Sequence, residues 1–320
     1  MSKGLVLLNM GGPNNLDEVK VFLHNMFNDP NIITVKSDLL RRFIAFIITT
    51  SRTRQAKENY AALGGKSPLV DYTKGLVAKL QEALPDTYVT YAMRYTPPFA
   101  ASAIDELKTH GVTQLCLLPL YPHYSTTTTK SSLEDFEEAL KKANFAPACT
   151  SISRFFDHPT YNQSMVKRVE EALGGEDSRE YVLIFSAHSL PQKIIDAGDP
   201  YQQEVLAHAV LLKEQLREAG LVFQATHTAY QSKLGPVKWL TPELGETLKT
   251  LKGKKVLIVP IAFTIDNSET EFELWIEYKE EAEKQGIHTY KVAKCPNDHD
   301  LFVQALREIT QTSTQASRIL

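Results

Sequence analysis

Short apolar, β-branched segments alternate with longer segments of helical periodicity along most of the 320-residue chain. This alternation predicts right-handed crossovers and parallel sheets, because parallel neighbours need a long connection. The predicted strands are residues 4–9, 87–93, 114–120, 148–153, 181–187, 223–229, 255–261 and 288–293. The predicted helices include residues 71–84, 100–110, 131–142, 161–174, 201–219, 242–251, 269–285 and 299–309. We therefore expect an α/β protein with two similar lobes, each containing a four-stranded parallel sheet flanked by helices.

The predicted lobes give the domain boundaries. An N-terminal lobe covers residues 1–155, a C-terminal lobe covers 156–297, a C-terminal helix covers 298–310, and a polar, frayed tail covers 311–320. Segment 32–50 of the first lobe is the most apolar part outside the strands. It is either a core helix or a lip with an apolar outer face, in which case Arg41 and Arg42 would lie at the level of lipid headgroups.

Composition argues against several classes of protein. The net charge of −3 gives no electrostatic reason to expect a nucleic-acid partner. No apolar run approaches the roughly 20 residues that cross a bilayer, and the N-terminus lacks the features of a signal peptide. The scattered Cys116, Cys149 and Cys295 are typical of a reducing compartment. We predict a cytoplasmic protein, peripheral at the inner face of the cell membrane if segment 32–50 is a lip.

Two polar clusters follow predicted strands of the second lobe. His188 closes one apolar run, and a segment from Asp266 to Glu269 follows another. Ligands of open α/β sheets bind at the carboxyl ends of the strands, where these clusters are expected to lie. A neutral imidazole and a carboxylate in one crevice can share a proton or hold a metal ion. The sequence therefore predicts an active site centred on His188 and Glu269.

Further carboxylates follow Glu269 at helical spacing. Glu273 and Glu277 lie four and eight residues beyond it, which places all three on one face of the predicted helix. Such a row is either a solvated acidic face or a carboxylate ladder that attracts a divalent cation and leads it towards Glu269. The spacing alone leaves both interpretations open.

Other unusual segments supply apolar and aromatic groups together with Arg, Lys and Ser. Several follow predicted strands, where they could line a crevice for a large, flat, apolar ligand with an anionic rim. These segments are Leu7–Pro13, Gly64–Leu69, Arg94-Tyr95, Leu118–Ser132, Gly198–Tyr201 and Tyr230–Pro242. The chain has neither G-x-G-x-x-G after the first strand nor a Walker loop, which argues against a dehydrogenase or an NTPase.

Together these segments resemble the ferrochelatase family, in order, from Met10 to about Leu301. The most specific matches are Phe185-Ser-Ala-His-Ser-Leu-Pro191, Gly198-Asp-Pro-Tyr201, Tyr230-Gln-Ser-Lys-Leu-Gly-Pro236 and Asp266-x-x-Glu269-Thr270. The resemblance implies two Rossmann-like lobes with a porphyrin cleft between them. It also implies the insertion of Fe²⁺ into protoporphyrin IX with release of two protons, which forms protohaem in the last step of haem biosynthesis.

The resemblance also assigns residues position by position. His188 and Glu269 match the family's catalytic pair, and they join Asp266, Glu273 and Glu277 as candidate metal contacts. Met10 matches a methionine over the macrocycle in the protoporphyrin-using branch, where the coproporphyrin-using branch usually has Tyr. The expected porphyrin contacts, as walls of the site or near the propionates, are Met10, Arg52, Tyr60, Ser67, Tyr121, Leu190, Ser232 and Trp239.

The chain departs from the family pattern at several positions. Asn267 replaces the usual histidine after the aspartate, and Trp275 stands where Asp is frequent. The Cys-rich C-terminal extension of the cluster-containing members is missing, and Thr126 occupies a position that is Cys in some of them. We therefore predict no [2Fe-2S] cluster and no tightly bound cofactor, with Fe²⁺ as a substrate. Transfer of porphyrin from the preceding porphyrin oxidase is a further expectation.

Two alternatives remain at this point. The chain is either a ferrochelatase or another chelatase of this architecture, one that inserts cobalt or uses coproporphyrin III, because metal choice is poorly encoded in sequence. A non-catalytic porphyrin or haem carrier would need the walls and propionate contacts but not both His188 and Glu269. Which of these two residues is the base and which delivers the metal also stays open.

Overall fold

The computed structural model describes residues 2–313, which form two four-stranded sheets with every strand pair parallel. The strand order is β2-β1-β3-β4 in the first sheet and β6-β5-β7-β8 in the second. The strands are β1 (Ser2–Asn9), β2 (Thr87–Met93), β3 (Val112–Pro119), β4 (Ala148–Ser151), β5 (Tyr181–His188), β6 (Ala225–Gln231), β7 (Lys255–Pro260) and β8 (Thr289–Val292). The predicted α/β class, with two four-stranded parallel sheets flanked by helices, is confirmed.

Helices lie between the strands. The α-helices are α1 (Glu18–Asn28), α2 (Asp38–Ala62), α3 (Leu69–Ala83), α4 (Ala100–Thr109), α5 (Ser131–Lys142), α6 (Pro159–Leu173), α7 (Gln192–Asp196), α8 (Tyr201–Glu218), α9 (Leu244–Lys249), α10 (Tyr278–Lys284) and α11 (Asp300–Ser313). A 3₁₀-helix covers Ser178–Glu180, and π-helices cover Thr126–Lys130 and Glu269–Glu277. The sequence predicted a single helix over 269–285, but its first two turns have the wider π form.

The chain divides into two compact units. Within the described residues, one comprises 2–121, 125–153 and 306–313, and the other comprises 122–124 and 154–305. Each has its own apolar core between sheet and helices. In the second unit, Val182, Ile184, Val256 and Ile258 alternate along β5 and β7 and pack with Leu274. In the first, residues of β1, α4 and β3 form the equivalent core. Burial of these faces fixes the register of the strands and thereby where each strand ends.

The two units share one local design. In each sheet, the third strand in the spatial order is β3 or β7. This strand is followed by a short loop and then by a π-helix that continues as an α-helix. π-Helices are rare and occur frequently at functional sites. The π-helix of the second unit contains the predicted acidic residues Glu269, Glu273 and Glu277.

Two sequence expectations concern the chain's ends and surface. Within residues 2–313, none of the helices has both the length and the apolar composition to cross a membrane. The tail predicted over 311–320 begins inside α11, which continues to Ser313, and its residues 314–320 lie outside the described part of the chain.

Candidate active site

His188 and Glu269 meet in the second unit, as the sequence predicts. The Nδ1 atom of His188 lies 2.7 Å from Oε2 of Glu269, so the ring donates to the carboxylate. The side chains are 37% and 22% exposed, respectively, so the pair is accessible from outside. Because the carboxylate holds the proton on Nδ1, the neutral ring presents Nε2 as a lone pair.

The local fold explains why these two residues meet. His188 is the last residue of β5, and its main-chain carbonyl accepts a hydrogen bond of 2.8 Å from the Tyr201 hydroxyl. Glu269 begins the π-helix that follows β7, the neighbour of β5. Its amide donates to Oδ1 of Asn267 at 2.8 Å, so the Asn267 side chain orders the turn that leads into the π-helix. The residue that replaces the family's histidine therefore fixes the backbone of Glu269.

Burial and pairing act in opposite directions on the pKa values of this pair. Burial disfavours both charged forms, but the neighbouring Glu269 carboxylate outweighs this and raises the pKa of His188. Burial likewise opposes ionisation of Glu269, yet the His188 ring and the Ser232 hydroxyl together lower its pKa. The geometry thus makes His188 a stronger base than an isolated imidazole and keeps Glu269 anionic.

Glu273 extends the pair into a chain of hydrogen bonds. The Ser232 hydroxyl lies 3.2 Å from Oε2 of Glu269 and also hydrogen-bonds to Oε2 of Glu273. Burial, followed by the charge of Glu269, raises the pKa of Glu273 to about 7. A protonated Glu273 can donate to Ser232, which can donate to Glu269, which accepts from His188. Protons can therefore pass between the imidazole and Glu273 without crossing a gap.

Ser232 makes hydrogen bonds that the sequence did not predict: its hydroxyl lies between two carboxylates. The resemblance places Ser232 at the porphyrin propionates or next to them, and that contact stays a prediction. Its φ of 66° is in the left-handed region, which is uncommon for a residue other than glycine. Strain of this kind persists where surrounding contacts over-determine the conformation. The turn after β6 is therefore held in a costly shape that places this hydroxyl.

Gln231 is a site residue that the sequence analysis did not single out. It is fully buried at the end of β6, and its Oε1 accepts a hydrogen bond of 2.6 Å from Ser186 of β5. Its Nε2 donates to the main-chain oxygen of Glu269 and to Oε2 of Glu273, both at 3.2 Å. Gln231 therefore ties the central strand to the π-helix. The sequence feature that could have identified Gln231 is its position directly before Ser232, within the segment Tyr230–Pro236.

Asp266 makes its hydrogen bonds with residues other than the predicted acids. Its Oδ2 accepts from Nδ2 of Asn297 at 2.7 Å, and its Oδ1 accepts from the Thr270 hydroxyl at 2.9 Å and the Cys295 amide at 3.2 Å. The carboxylate is buried, and these donors use its acceptor positions. The structure therefore shows Asp266 joining the loop after β7 to the segment after β8, and its predicted metal contact stays a prediction.

Glu277 lies at the outer end of the acidic row. It is exposed at the last position of the π-helix, and partial burial and the neighbouring Glu280 raise its pKa. Among residues 2–313, no three His, Cys, Asp or Glu side chains form a group that could hold a metal ion. Metal binding by His188, Glu269, Glu273 and Glu277 stays a prediction.

Leu190 and Trp239, two expected porphyrin contacts of the second unit, lie near His188. Leu190 is close to it in sequence, and Trp239 is linked to the same segment by a β-bridge. Leu190 is buried two residues after His188, and its carbonyl accepts from the Leu240 amide at 3.1 Å. Trp239 pairs with Pro191 in an antiparallel bridge, and its indole Nε1 is buried without a hydrogen-bond partner among the described residues. Both side chains therefore stand beside the segment that carries the imidazole.

Met10 and Tyr121 lie at the carboxyl edge of the first unit's sheet. Met10 follows β1, its amide donates to Oδ1 of Asn9, and its carbonyl accepts from the Tyr95 amide. Tyr121 lies two residues beyond β3, where its hydroxyl is 3.1 Å from the Ser132 hydroxyl, and burial raises its pKa. As β1 and β3 are neighbours, these two residues end adjacent strands.

The remaining expected contacts surround α2 and the loop after β1. The Ser67 amide donates to the Pro13 carbonyl at 2.8 Å, and a Cβ on Gly12 would come within 2.6 Å of the Ser67 side chain. Glycine is therefore required there for the two segments to approach. Tyr60 is buried near the end of α2, and Arg52 is exposed at its middle. The structure links Ser67 to the loop after Met10 and leaves Arg52 on the surface.

Comparison with known proteins finds the family that the sequence motifs resemble. The sequence profile of the ferrochelatase family matches residues 2–314. The ferrochelatase of Nitratiruptor sp. is 60% identical over 309 residues, which cover 97% of this chain and 99% of that protein. The ferrochelatase of Sulfurimonas denitrificans is 51% identical over 308 residues, covering 96% of this chain and 98% of that protein.

Solved structures agree on the fold. SirB from Bacillus subtilis with Fe³⁺ superimposes with a TM-score of 0.58 at 13% identity, covering 98% of this chain and 97% of that one. CbiX, the terminal enzyme of sirohaem biosynthesis in denitrifying bacteria, gives a TM-score of 0.55 at 12% identity, covering 97% and 99%. At this level of identity the likeness shows the chelatase-like fold alone.

Proposed function

The chain belongs to the ferrochelatase family, and we propose that it is a lyase that inserts Fe²⁺ into protoporphyrin IX to form protohaem, the last step of haem biosynthesis. The observation that carries the proposal is the 2.7 Å bond between His188 Nδ1 and Glu269 Oε2. Insertion releases two pyrrole protons, so the site needs an acceptor whose protonated form is stabilised. An imidazole held by a carboxylate meets this need.

In the proposed reaction, Nε2 of His188 takes a pyrrole proton or hands over Fe²⁺. Glu269 keeps the ring in one tautomer and stabilises its charged form. Protons would leave through Ser232 towards Glu273, whose pKa of about 7 suits a group that both accepts and releases them near neutrality. The Ser232 hydroxyl would thus serve proton transfer, and its predicted place at or near the porphyrin propionates stays a prediction.

Fe²⁺ would approach along the acidic row. Glu277 is exposed, Glu273 is half-buried and Glu269 touches the imidazole, so the row passes from solvent to His188. Carboxylate oxygen and imidazole nitrogen are both ligands that suit Fe²⁺. The gradation from exposed to paired carboxylates supports the ladder rather than a merely solvated acidic face.

The macrocycle would be held by apolar walls and a polar rim. Met10, Tyr121, Leu190 and Trp239 are the proposed walls; Arg52, Tyr60 and Ser67 are proposed for the propionates. Bending the ring exposes its nitrogen lone pairs to the metal, and binding energy from the rest of the macrocycle would supply that distortion. We propose further that no [2Fe-2S] cluster takes part and that the porphyrin comes directly from the preceding oxidase.

The test is metal insertion by the purified protein. Protoporphyrin IX with Fe²⁺ or Zn²⁺ should give the metalloporphyrin, and His188→Ala should abolish insertion while porphyrin fluorescence quenching shows that binding persists. His288→Ala, an exposed histidine of the same unit, is the matched control and should keep the wild-type rate. A wild-type protein that binds porphyrin without inserting metal would favour the carrier. Substantial turnover by His188→Ala would overturn the role of His188.

We also propose that the first half of α2 contacts the membrane surface from the cytoplasm. Its apolar side chains are exposed: Leu39, Leu40, Phe43, Phe46 and Ile47, with Leu39 81% exposed. A helix of this kind, with an exposed Arg42, suits an interface with lipid headgroups. Arg41 was expected beside Arg42, but it is bound to Asp38 at 2.9 Å and to the Asn28 carbonyl at 3.0 Å. Arg41 therefore holds the helix start.

Flotation with vesicles that contain anionic phospholipid tests this contact. The wild-type protein should float with the vesicles, and Phe43→Ser with Phe46→Ser should reduce the floating fraction. Val210→Ser removes another exposed apolar side chain, on α8, and should leave flotation unchanged. Equal flotation of the double variant and the wild type would exclude α2 as the contact.

A further inference from the structure

Two of the sequence motifs meet in the second unit. They are Gly198-Asp-Pro-Tyr201 and the Pro122-His123-Tyr124 segment. The rings of Tyr201 and His123 lie edge to face, with centroids 6.0 Å apart. Both side chains are buried, with exposures of 7% and 1%. The contact therefore belongs to the interior beneath the end of β5.

Tyr201 reaches from this layer to the candidate active site. Its hydroxyl donates to the main-chain oxygen of His188 at 2.8 Å, at the last residue of β5. Its own amide donates to Oδ1 of Asp199 at 3.0 Å, which fixes the first turn of α8. The His188 side chain starts from the main chain that Tyr201 holds. A shift of that peptide would therefore move Nδ1 relative to Glu269.

A chain of buried hydrogen bonds holds His123 in turn. The Asn162 amide nitrogen donates to the carbonyls of Phe156 and His158 at 2.7 and 3.1 Å, so its Oδ1 must be the acceptor that faces His208. His208 therefore carries its proton on Nε2 and accepts at Nδ1, 3.0 Å from Nε2 of His123. The donors and acceptors allow one arrangement when both rings are neutral.

The surroundings keep both rings neutral. Burial lowers the pKa of His208 to about 3, and burial together with His208 lowers the pKa of His123. Phe156 stacks on His123 and Tyr161 lies against His208, with centroid distances of 5.6 Å in each case. Both imidazoles are thus rigid parts of an aromatic layer, and they present a fixed surface to Tyr201.

We propose that Tyr201 is a positioning residue for His188: its hydroxyl sets the main chain that aims the imidazole at Glu269, and the Asn162–His208–His123 chain holds its ring in place. The proposal rests on the function proposed above for His188. Tyr201 itself need not touch either substrate, since its hydroxyl is used by the His188 carbonyl.

Tyr201→Phe is the direct test, because it removes the hydroxyl and keeps the ring. We expect kcat for Zn²⁺ insertion to fall at least about fivefold, the effect of losing one hydrogen bond, while KM for porphyrin stays unchanged. Tyr161→Phe is the matched control: this tyrosine is fully buried in the same layer, but its hydroxyl has no partner among the described residues. It should keep the wild-type kcat.

A spectroscopic signature separates positioning from general destabilisation. The His188 Nδ1 proton, held against Glu269, should give a low-field ¹H resonance in the ligand-free protein, identified by its loss in His188→Ala. The resonance should shift or disappear in Tyr201→Phe and persist in Tyr161→Phe. Because this measurement needs no substrate, failure of the proposed function would leave the result standing.

The overturning results are definite. An unchanged kcat together with an unchanged resonance in Tyr201→Phe would refute the proposal, as would equal losses in the Tyr161→Phe control. If Tyr201→Phe does not fold, the same two readouts on His123→Gln decide, since that change acts on Tyr201 from its other side. For His123→Gln we expect a smaller loss of kcat and a smaller change of the low-field resonance than for Tyr201→Phe. If neither kcat nor the resonance changed, the proposal would be refuted.

Discussion

Glu269 and Glu273 hydrogen-bond to the same hydroxyl, that of Ser232, yet their pKa values are displaced in opposite directions. The His188 ring lowers the pKa of Glu269 against the effect of burial, whereas burial and the charge of Glu269 raise that of Glu273 to about 7. Two adjacent carboxyls that do not both ionise can serve as an acid and a base at the same pH. The hydrogen-bonded chain of Glu269, Ser232 and Glu273 therefore has one mobile proton near neutral pH.

Glu269→Gln should lower kcat for metal insertion by at least about 100-fold, the usual scale for losing a proton-transfer group. The amide keeps the shape but cannot stabilise the charged His188 ring. Glu277→Gln should have a much smaller effect, because Glu277 is exposed at the outer end of the row. Steady-state insertion with Zn²⁺ measures both. Equal losses in the two variants would show that the acidic row is not graded.

Glu273 should make the fold less stable as the pH rises. Its folded-state pKa of about 7 exceeds the ordinary value of 4.5, so between these values the folded state holds a proton that the unfolded state has lost. The free energy of unfolding therefore decreases from pH 4.5 upwards and levels off above about pH 7. The total for this group is roughly 3 kcal/mol.

Glu273→Gln should remove this dependence, because glutamine does not titrate. Urea denaturation gives the free energy of unfolding at pH 5.5 and at pH 8. The difference between these two free energies should be smaller for the variant than for the wild type. Glu283→Gln provides the control, since it removes an acid at an exposed position of α10. The assignment to Glu273 would be contradicted if the free energy of unfolding of the wild type rose between pH 5.5 and pH 8, by about as much as it is expected to fall.

Asp266→Asn should destabilise the fold by about 2 kcal/mol, because the new amide group would face the Asn297 donor in a buried site. The free energy of unfolding, from urea titration, is the quantity to compare. An exposed change such as Glu277→Gln should stay within about 0.5 kcal/mol of the wild type. If Asp266→Asn kept full stability but lost metal insertion, Asp266 would be a metal contact and not a structural residue.

The sequence predicted the sheets well because their central strands, β1, β3, β5 and β7, are largely buried on both faces. All eight predicted strands are present, with small changes at their ends, since continuous apolar runs such as Val182–Phe185 have few alternatives to a central parallel strand. The meeting of His188 and Glu269 followed from the same pattern, because β5 and β7 are neighbours and both sites lie where those strands end.

The sequence predicted neither the π form of the helix nor the directions in which individual side chains point. The π-helix at Glu269–Glu277 has an ordinary helical composition, and its wider backbone turn leaves no periodic signal over nine residues. Asp266 and Glu269 are only three residues apart, but one faces Asn297 and the other faces His188. Gln231 and Tyr201 act through main-chain oxygens, which carry no residue identity that a motif could reveal.

The substrate prediction rests on Met10 and on the distribution of charge. A thioether over the ring face adds soft apolar contact and no proton chemistry. Protoporphyrin IX has two propionates, whereas coproporphyrin III has four, and burying further carboxylates without partners is costly. With the Ser232 hydroxyl engaged by Glu269 and Glu273, the proposed rim consists of Arg52, Tyr60 and Ser67.

We therefore expect kcat/KM for protoporphyrin IX to exceed that for coproporphyrin III by at least about tenfold, which corresponds to roughly 1.4 kcal/mol of transition-state preference. Competition between the two porphyrins in one reaction measures this ratio directly, because both see the same enzyme and the same metal. Met10→Tyr should reduce the ratio if the thioether sets the preference, and Met26→Leu, a methionine on α1, should leave it unchanged. Equal rates for the wild type, or a preference for coproporphyrin III, would overturn the argument from Met10 and the choice of substrate.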